Sequence, residues 1–445
     1  MKFAVAALLT VFASLGLAQT PPIQPKTPNV QIPGPLVLPP PNVVAIGKEP
    51  LTVEEAVAIA LKNQPLVGIA AGNLLSGQGR SEEARSDLLP NFVLGASYSK
   101  TSTFRGSSTT TPSQFTSSLT IQQLLFDFGQ TRDAVRQQEA LERSLRHTLS
   151  RTQQTVALSV KQAFYNLMQD LADLDTSNAN VSNRQRQLDE AQARLDSGLG
   201  APADVVQAKT NLAGAANSLS LARDSALNSR VSLAQLLAVD PRTPIVPADS
   251  SELPVDNETD LEKLVEAALN NRPDIKAAQE QVSAAKFAVS VAKKGNLPRI
   301  TASVGAGSRG ETDPLQTESG TFSINVTWNF ADSGFTSGAI KVAQGNEQVA
   351  RAALVQVTQQ ALADVSQAFV DLQSAQERVQ LSTTEVANAV EFVRIAEGRY
   401  TGGIGQFTDI TTAQSALVSA QRDLSQAKLD VERVRSRLRA AIGQS

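Results

Sequence analysis

Phe322-Ser323-Ile324-Asn325-Val326-Thr327-Trp328-Asn329-Phe330 alternates apolar and polar side chains without a break. Successive side chains of a β-strand point to opposite faces, so Phe322, Ile324, Val326, Trp328 and Phe330 face one way and Ser323, Asn325 and Thr327 the other. Just upstream, Ile300, Ala302 and Val304 alternate with Thr301, Ser303 and Gly305. The pattern has an earlier counterpart: Phe92, Leu94, Ala96 and Tyr98 share one face, and Phe115, Leu119 and Ile121 alternate with Thr116, Ser118, Thr120 and Gln122. The chain therefore reads as carrying two β-hairpins, with strands at about 91–104, 113–127, 299–309 and 320–330.

The hairpins belong to a larger duplication. Ala60-Leu61-Lys62-Asn63-Gln64-Pro65 returns as Ala268-Leu269-Asn270-Asn271-Arg272-Pro273, and Leu89-Pro90-Asn91 as Leu297-Pro298-Arg299. Ala163-Phe164-Tyr165-Asn166-Leu167 returns as Ala368-Phe369-Val370-Asp371-Leu372. The offset stays near about 205 residues, far beyond solenoid periods, so each copy is a whole structural half. Each half opens with a helical region, with Thr52 or Asp260 at its N-cap position and interrupted by Pro65 or Pro273. After each hairpin the apolar period changes to three and four: Leu141, Leu145, Leu149, Val156, Val160, Phe164, Leu167 and Leu171, then Leu354, Val357, Ala361, Val365, Ala368, Leu372, Ala375 and Val379. That is the seam of a coiled coil. It predicts helices at about 130–197 and 335–401, each on the order of 100 Å long at 1.5 Å per residue. Gly-rich turns then reverse the chain into helices at about 202–238 and 406–442.

The resulting organisation is a secretory signal over 1–18, a proline-rich extended segment over 19–50, repeat 1 over 51–239, a connector over 240–258 and repeat 2 over 259–445. Cysteine is absent, which excludes disulfides, thiolate metal sites, thiol nucleophiles and a lipid-bearing N-terminal Cys. No apolar run after the signal reaches the ~18 residues of a spanning helix, so only a β-barrel could hold this chain in a bilayer. Hydrophobic residues make up 41% but aromatics only 4%, which suits long thin helices rather than a thick core. With a net charge of -3 and no basic stripe, nucleic acid is not an expected partner. The single histidine, His147, has no companions at ligand spacing, and no phosphate-cradling loop or nucleophile and base pair is present; no cofactor, metal or catalytic residue is predicted.

Strands of about 11 residues, apolar on one side and hydroxyl- or amide-bearing on the other, fit the wall of a water-filled barrel. Phe92, Leu94, Tyr98, Leu119, Ile121, Phe322, Ile324, Val326 and Trp328 would face lipid; Thr116, Ser118, Thr120, Gln122, Thr301, Ser303, Ser323, Asn325 and Thr327 would face the lumen. A half-buried soluble sheet gives the same alternation. Four strands cannot close, and an open edge in lipid leaves backbone groups unpaired at a few kcal/mol each. Two, three or four copies would supply about 8, 12 or 16 strands.

The duplicated plan, the Leu-Pro start of each first strand, and the doubled signature Arg194-x-x-x-Gly198-x-x-x-x-x-Asp204 and Arg399-x-x-x-Gly403-x-x-x-x-x-Asp409 resemble the TolC family of outer-membrane factors, over essentially all of residues 51–442. The resemblance implies a mainly α chain with membrane β: two repeats, each a β-hairpin plus a long antiparallel helical hairpin, with four strands per chain in a 12-stranded barrel of a homotrimer. It further implies a passive channel of a tripartite efflux or type I secretion system, set in outer-membrane lipid and extending into the periplasm. The turns at Gly198 and Gly403 would form the far tip, which docks a periplasmic adaptor (membrane fusion) protein and, through it, an inner-membrane pump. Tyr400 and Asp204 match a closing pair of the family and Asp409 its first gate aspartate. Thr412 stands at the second gate position and Gly405 where relatives carry a basic residue; Tyr400→Phe and Asp409→Ala are then expected to loosen the tip. Read without the family, both aspartates sit where a carboxylate caps or favours the start of a helix. Two other classes share parts of the pattern, a periplasmic coiled coil that spaces envelope layers and an autonomous diffusion porin.

Overall fold

The computed structural model describes residues 50–100, 103–105, 108–110, 113–248, 259–310 and 317–444. The signal, the proline-rich stretch up to residue 49 and the connector beyond 248 lie outside the described residues. In repeat 1, α1 (Val53–Asn63) and α2 (Pro65–Ser86) lead into β1 (Asn91–Lys100), the short β2 (Thr103–Arg105) and β3 (Ser108–Thr110), β4 (Ser113–Phe126), α3 (Gln130–Asp196) and α4 (Pro202–Leu236). Repeat 2 gives α5 (Leu261–Asn271), α6 (Pro273–Lys293), β5 (Arg299–Gly310), β6 (Thr317–Thr327), α7 (Phe335–Thr401) and α8 (Phe407–Ala441). α3 and α7 are 67 residues each and α4 and α8 are 35 each, so the duplication holds to the residue in the helical hairpins.

Local chemistry starts each unit. Thr52 and Glu55 form a reciprocal capping box on α1, the Glu55 N–H donating to Thr52 Oγ1 at 3.3 Å and the Thr52 N–H to Glu55 Oε2 at 3.0 Å. Asp260 caps α5 by accepting from the Glu262 and Lys263 N–H groups. Pro65 and Pro273 each stand first in the following helix, where a missing N–H costs nothing. The strand-to-helix junctions repeat a motif that the alternation gives no hint of, Asp127-Phe128-Gly129-Gln130-Thr131 and Asp332-Ser333-Gly334-Phe335-Thr336. Phe128 and Gly129, like Ser333 and Gly334, take left-handed backbone with φ of 58°, 79°, 51° and 92°. In both junctions the aspartate holds the turn, Asp127 accepting from the Gly129 and Thr131 N–H groups at 3.0 and 2.7 Å and Asp332 from those of Gly334 and Thr336 at 3.1 and 2.8 Å. Lys294, at the end of α6, clamps the first junction, its Nζ donating to the Gly129 carbonyl at 3.3 Å and to Asp133 at 2.6 Å. Burial pushes the Asp133 carboxyl up, but Lys294 and Ser290 outweigh it and hold it below the usual range. The stabilisation is therefore present above the ordinary carboxylate pKa and is lost as pH falls through the depressed value.

The helices pack as two long hairpins laid side by side, α3 against α4, α7 against α8, and α3 against α8 across the repeats. The centre of each predicted seam is buried, Val156, Val160, Phe164 and Leu167 on α3 and Ala361, Val365, Ala368, Leu372 and Ala375 on α7. Leu141, Leu145, Leu149, Leu354 and Val357 are only half-buried. Along α8, Ala413, Ala420, Ala427 and Val434 are buried at heptad spacing, and small side chains there let neighbouring backbones approach. Midway along, α1 and α5 each cover a separate core, one around Val160, Phe164, Leu167 and Leu233 and one around Val365, Leu372, Leu438 and Ile442.

Arg272, 2% exposed, locks the second of these cores. It bonds Asp274 bidentately at 3.0 and 2.7 Å, Asp364 on α7 at 2.9 Å and the Ala441 carbonyl at 3.3 Å. Its counterpart Gln64 performs only the last of these tasks, donating to the Leu236 carbonyl at 3.0 Å. Breaking a buried ion pair from one side leaves the other charge uncompensated. Arg272→Met should therefore cost about 3 kcal/mol, and Gln64→Ala about 1 kcal/mol. Thermal unfolding of the detergent-solubilised protein will show the larger fall in midpoint for Arg272→Met if the network carries this share.

Candidate functional site

Two regions hold the residues singled out by sequence, the sheet at one end of the long helices and the turns at the other. The sheet runs β1-β4-β5-β6, antiparallel throughout, with the two hairpins joined by β4 against β5. Directly opposed residues share a face. The register aligns Phe92 with Ile121 and Val304, Leu94 with Leu119, Tyr98 with Phe115, and Val304 with Phe322; Ala302 faces Ile324 and Ile300 faces Val326. All the predicted lipid-facing residues within the strands fall on this one face. The other face gathers Thr116, Ser118, Thr120, Gln122, Thr301, Ser303, Ser323, Asn325 and Thr327. Here the Ser303 and Ser323 hydroxyls bond at 2.7 Å and Asn325 donates to Ser323 Oγ at 3.3 Å. A bulge between Leu124 and Phe126 adds Leu125 and returns Phe126 to the apolar side opposite Ile300.

β6 ends at Thr327, not at Phe330. Trp328 leaves the ladder, its indole N–H donating to the Asn296 carbonyl at 3.0 Å and its ring packing near Phe330 at 5.9 Å. At the other hairpin Phe126 and Phe128 meet edge-on at 4.7 Å. These four rings and exposed Phe335 lie where strands pass into helices. No helix packs across the sheet among the described residues. Leu94 is 81% exposed, and Phe92, Tyr98, Phe322, Ile324 and Val326 are exposed with it. A half-buried soluble sheet would have one of its faces covered; this one leaves both open, and an apolar patch of this breadth needs a non-aqueous partner.

At the opposite end each long helix stops in the same left-handed turn. Gly198 has φ +74° and Gly403 φ +76°, and the following N–H groups, of Leu199 and Ile404, return to the carbonyls of Arg194 and Arg399 at 2.9 and 3.0 Å. Gly200 and Gly405 have a steric reason to be glycine. A Cβ on Gly405 would lie 2.9 Å from the Tyr400 backbone N, and one on Gly200 2.8 Å from that of Leu195. A side chain at 405 would therefore have to displace the backbone of this turn.

Tyr400 is buried in a small core that both repeats share, with Ala191, Leu195, Val205, Ala208, Ala396, Phe407 and Ile410. The Arg194 guanidinium lies 4.4 Å over its ring centre and donates to its carbonyl at 3.3 Å. Burial, then the charge of Asp204, pushes the Tyr400 phenol up, so Asp204 is near, yet no hydrogen bond joins the two side chains. Asp409 has a different task, its carboxylate accepting from the Gln406 N–H at 3.3 Å in a capping box on α8. Asp204 sits in the first turn of α4 without capping it. Thr412 and Arg399 are exposed. The structure adds Phe407, whose ring centre lies 5.8 Å from that of Tyr400, and Leu199 and Ile404, 78% and 77% exposed at the two apices. The signal for the last pair was present, one large apolar residue between the glycines of each turn.

The ring of Tyr400, and not its hydroxyl, carries the contacts. Tyr400→Phe should leave the tip intact, against the expectation from the family pair, whereas Tyr400→Ala should destabilise it by about 3 kcal/mol. Amide hydrogen exchange over 188–213 and 393–418 checks this, with protection retained in the first variant and lost in the second.

The family model described as outer membrane efflux protein matches residues 56–239 and again residues 264–444. Protein CyaE of Bordetella pertussis is 26% identical over 378 residues, covering 84% of this chain and 80% of that protein. Outer membrane protein TolC of Escherichia coli K12 is 25% identical over 381 residues, covering 81% and 76%. Among solved structures, the outer membrane protein VceC of Vibrio cholerae superposes with a TM-score of 0.78 at 22% identity, covering 88% of this chain and 96% of that one.

Proposed function

We infer the function of this chain from the premise that it belongs to the outer membrane efflux protein family, whose model accounts for both of its halves. It is an outer-membrane efflux channel with a periplasmic extension. The observation that carries the finer reading is the two-faced sheet with both edges open. Among the described residues β1 and β6 each leave one backbone edge unpaired, and in lipid that edge has to be satisfied by another copy. Three copies give a barrel of about 12 strands with the apolar face to lipid and the hydroxyl face to water. The same copies would cover the exposed valines at heptad spacing on α7, Val342 with Val349, and the exposed Val206, Leu221 and Leu227 on α4. The helices then continue the barrel as a tunnel on the order of 100 Å long. The duct itself does no work on the cargo; a pump in the inner membrane supplies it.

The tip is the gate and the docking end of this assembly. Arg194 over Tyr400 ties repeat 1 to repeat 2 inside one chain. Exposed Arg399 is its counterpart in repeat 2, placed to meet the repeat 1 of a neighbouring copy, where Leu195 stands in the position of Tyr400. Leu199 and Ile404 give each copy two apolar points at the apex, suited to the apolar end of a periplasmic adaptor. A spacer of envelope layers would account for the helices and leave the two-faced sheet without a purpose.

Outer-membrane fractions should contain the mature protein as a detergent-extractable trimer, seen by cross-linking; a monomer released without detergent would end this reading. Leu199→Asp combined with Ile404→Asp should lower efflux at least tenfold, measured as accumulation of exported compound, with trimer abundance unchanged. Full export by the double variant would remove the apices from the docking surface.

A further inference from the structure

The polar face of the sheet carries hydroxyls, amides and glycines along almost all its length. By register its charged members among the described residues are Arg299 and Arg309, both on β5, and no Asp or Glu shares that face. The one described carboxylate in the strands, Glu318, opposes Ser308 and so lies on the apolar face. The two arginines differ in their surroundings. Arg299 opens β5 beside the strand-to-helix junction, where Asp127 is close enough to feel its charge. Arg309 stands on the order of 30 Å farther along the strand, exposed, opposite Thr116, with no described residue paired to it. Gly305 and Gly307 precede it on the same face, so no side chain of β5 crowds the guanidinium.

A guanidinium is always ionised. Repeated on each copy around a water-filled lumen with low-dielectric walls, it makes a positive ring whose field the walls concentrate. We propose that Arg309 sets the charge preference of the outer end of the barrel, favouring cargo with carboxylate, sulfonate or phosphate groups over cationic cargo. The inference rests on the proposed duct, in which this face lines water.

The chain has no cysteine, so Thr116→Cys introduces a single thiol directly opposite Arg309. Outer-membrane vesicles holding this variant are treated at low salt with an anionic and with a cationic methanethiosulfonate reagent, and the ratio of the two rates is divided by the same ratio for free 2-mercaptoethanol. Any effect of Arg309 on the thiol pKa changes both rates alike and cancels. The normalised ratio should exceed that of the Arg309→Gln variant by about fivefold. It should be kept by Arg309→Lys, inverted by Arg309→Glu and flattened in 1 M salt. A ratio unaffected by Arg309→Gln would mean that the charge is neutralised, for example by Glu311 or Asp313 next along the chain, and would overturn the inference while leaving the duct standing. Protection of the thiol from both reagents would instead show that this face does not line water, and the duct reading would fall together with the inference.

Discussion

Backbone hydrogen bonding at the two free edges of the sheet is the constraint on which the rest of the molecule depends. The outer edges of β1 and β6 each present a row of N–H and C=O groups, and in hydrocarbon each unpaired group costs several kcal/mol. Among the described residues no helix packs along those edges, and none is long and apolar enough to cross a membrane itself. Inside one chain the problem is solved once, where β4 of the first repeat pairs with β5 of the second. In the proposed trimer the contact between β6 of one copy and β1 of the next solves it again with the same kind of partners, a second hairpin against a first. Duplication within the chain thus fits closure between chains, because both seams join the same two kinds of unit.

In the proposed trimer a closed wall of strands has to hand over to a wall of helices without a gap, and the aspartate junctions would do this. Asp127 and Asp332 satisfy the N–H groups that a helix start leaves open, while two consecutive left-handed residues turn the chain at the strand end. The aromatic rings gathered there, Phe126, Phe128, Trp328, Phe330 and Phe335, are amphipathic or apolar bodies at the level where lipid would meet water. Beyond the junction the buried alanines of α8 let the hairpins pack closely.

The period of the side chains made much of this legible. Alternation identified the strands and their faces, and steps of three and four identified the long helices, because each period follows directly from backbone geometry. The end of β6 is less legible for the same reason: Trp328-Asn329-Phe330 continues the alternation after the hydrogen-bonded ladder has stopped. The tip was less legible. Its contacts join positions about two hundred residues apart, such as Arg194 with Tyr400 and Arg184 with Ser415 at 2.9 Å, and no local pattern encodes which arginine docks and which stays free. The task of Asp409 was visible as helix capping, but its partner Gln406 is not a usual cap residue. Gly405 stands out in the sequence only through the family resemblance, whereas its proximity to the Tyr400 backbone is a property of the turn.

The two repeats match closely in length and turn geometry, so the places where they differ carry information. In the pair formed by Arg194 and Tyr400, a cation lies over an aromatic face that is shielded from water, and such contacts reach about 2 kcal/mol when desolvated. The counterpart pair in the proposed trimer would set Arg399 against Leu195, which has no π face and leaves the guanidinium with solvent. In the proposed trimer the seam inside a chain would therefore be the stronger of the two kinds at the tip, and the seam between chains the weaker. Farther along the same helices Arg184, Arg422 and Arg433 of one chain also bridge α3 and α8 internally, to Ser415, Ser177 and the Tyr165 carbonyl. In the proposed trimer, a tip built this way would open more readily between copies than by pulling one hairpin out of its own chain, because the contacts within the chain include the desolvated pair of Arg194 and Tyr400.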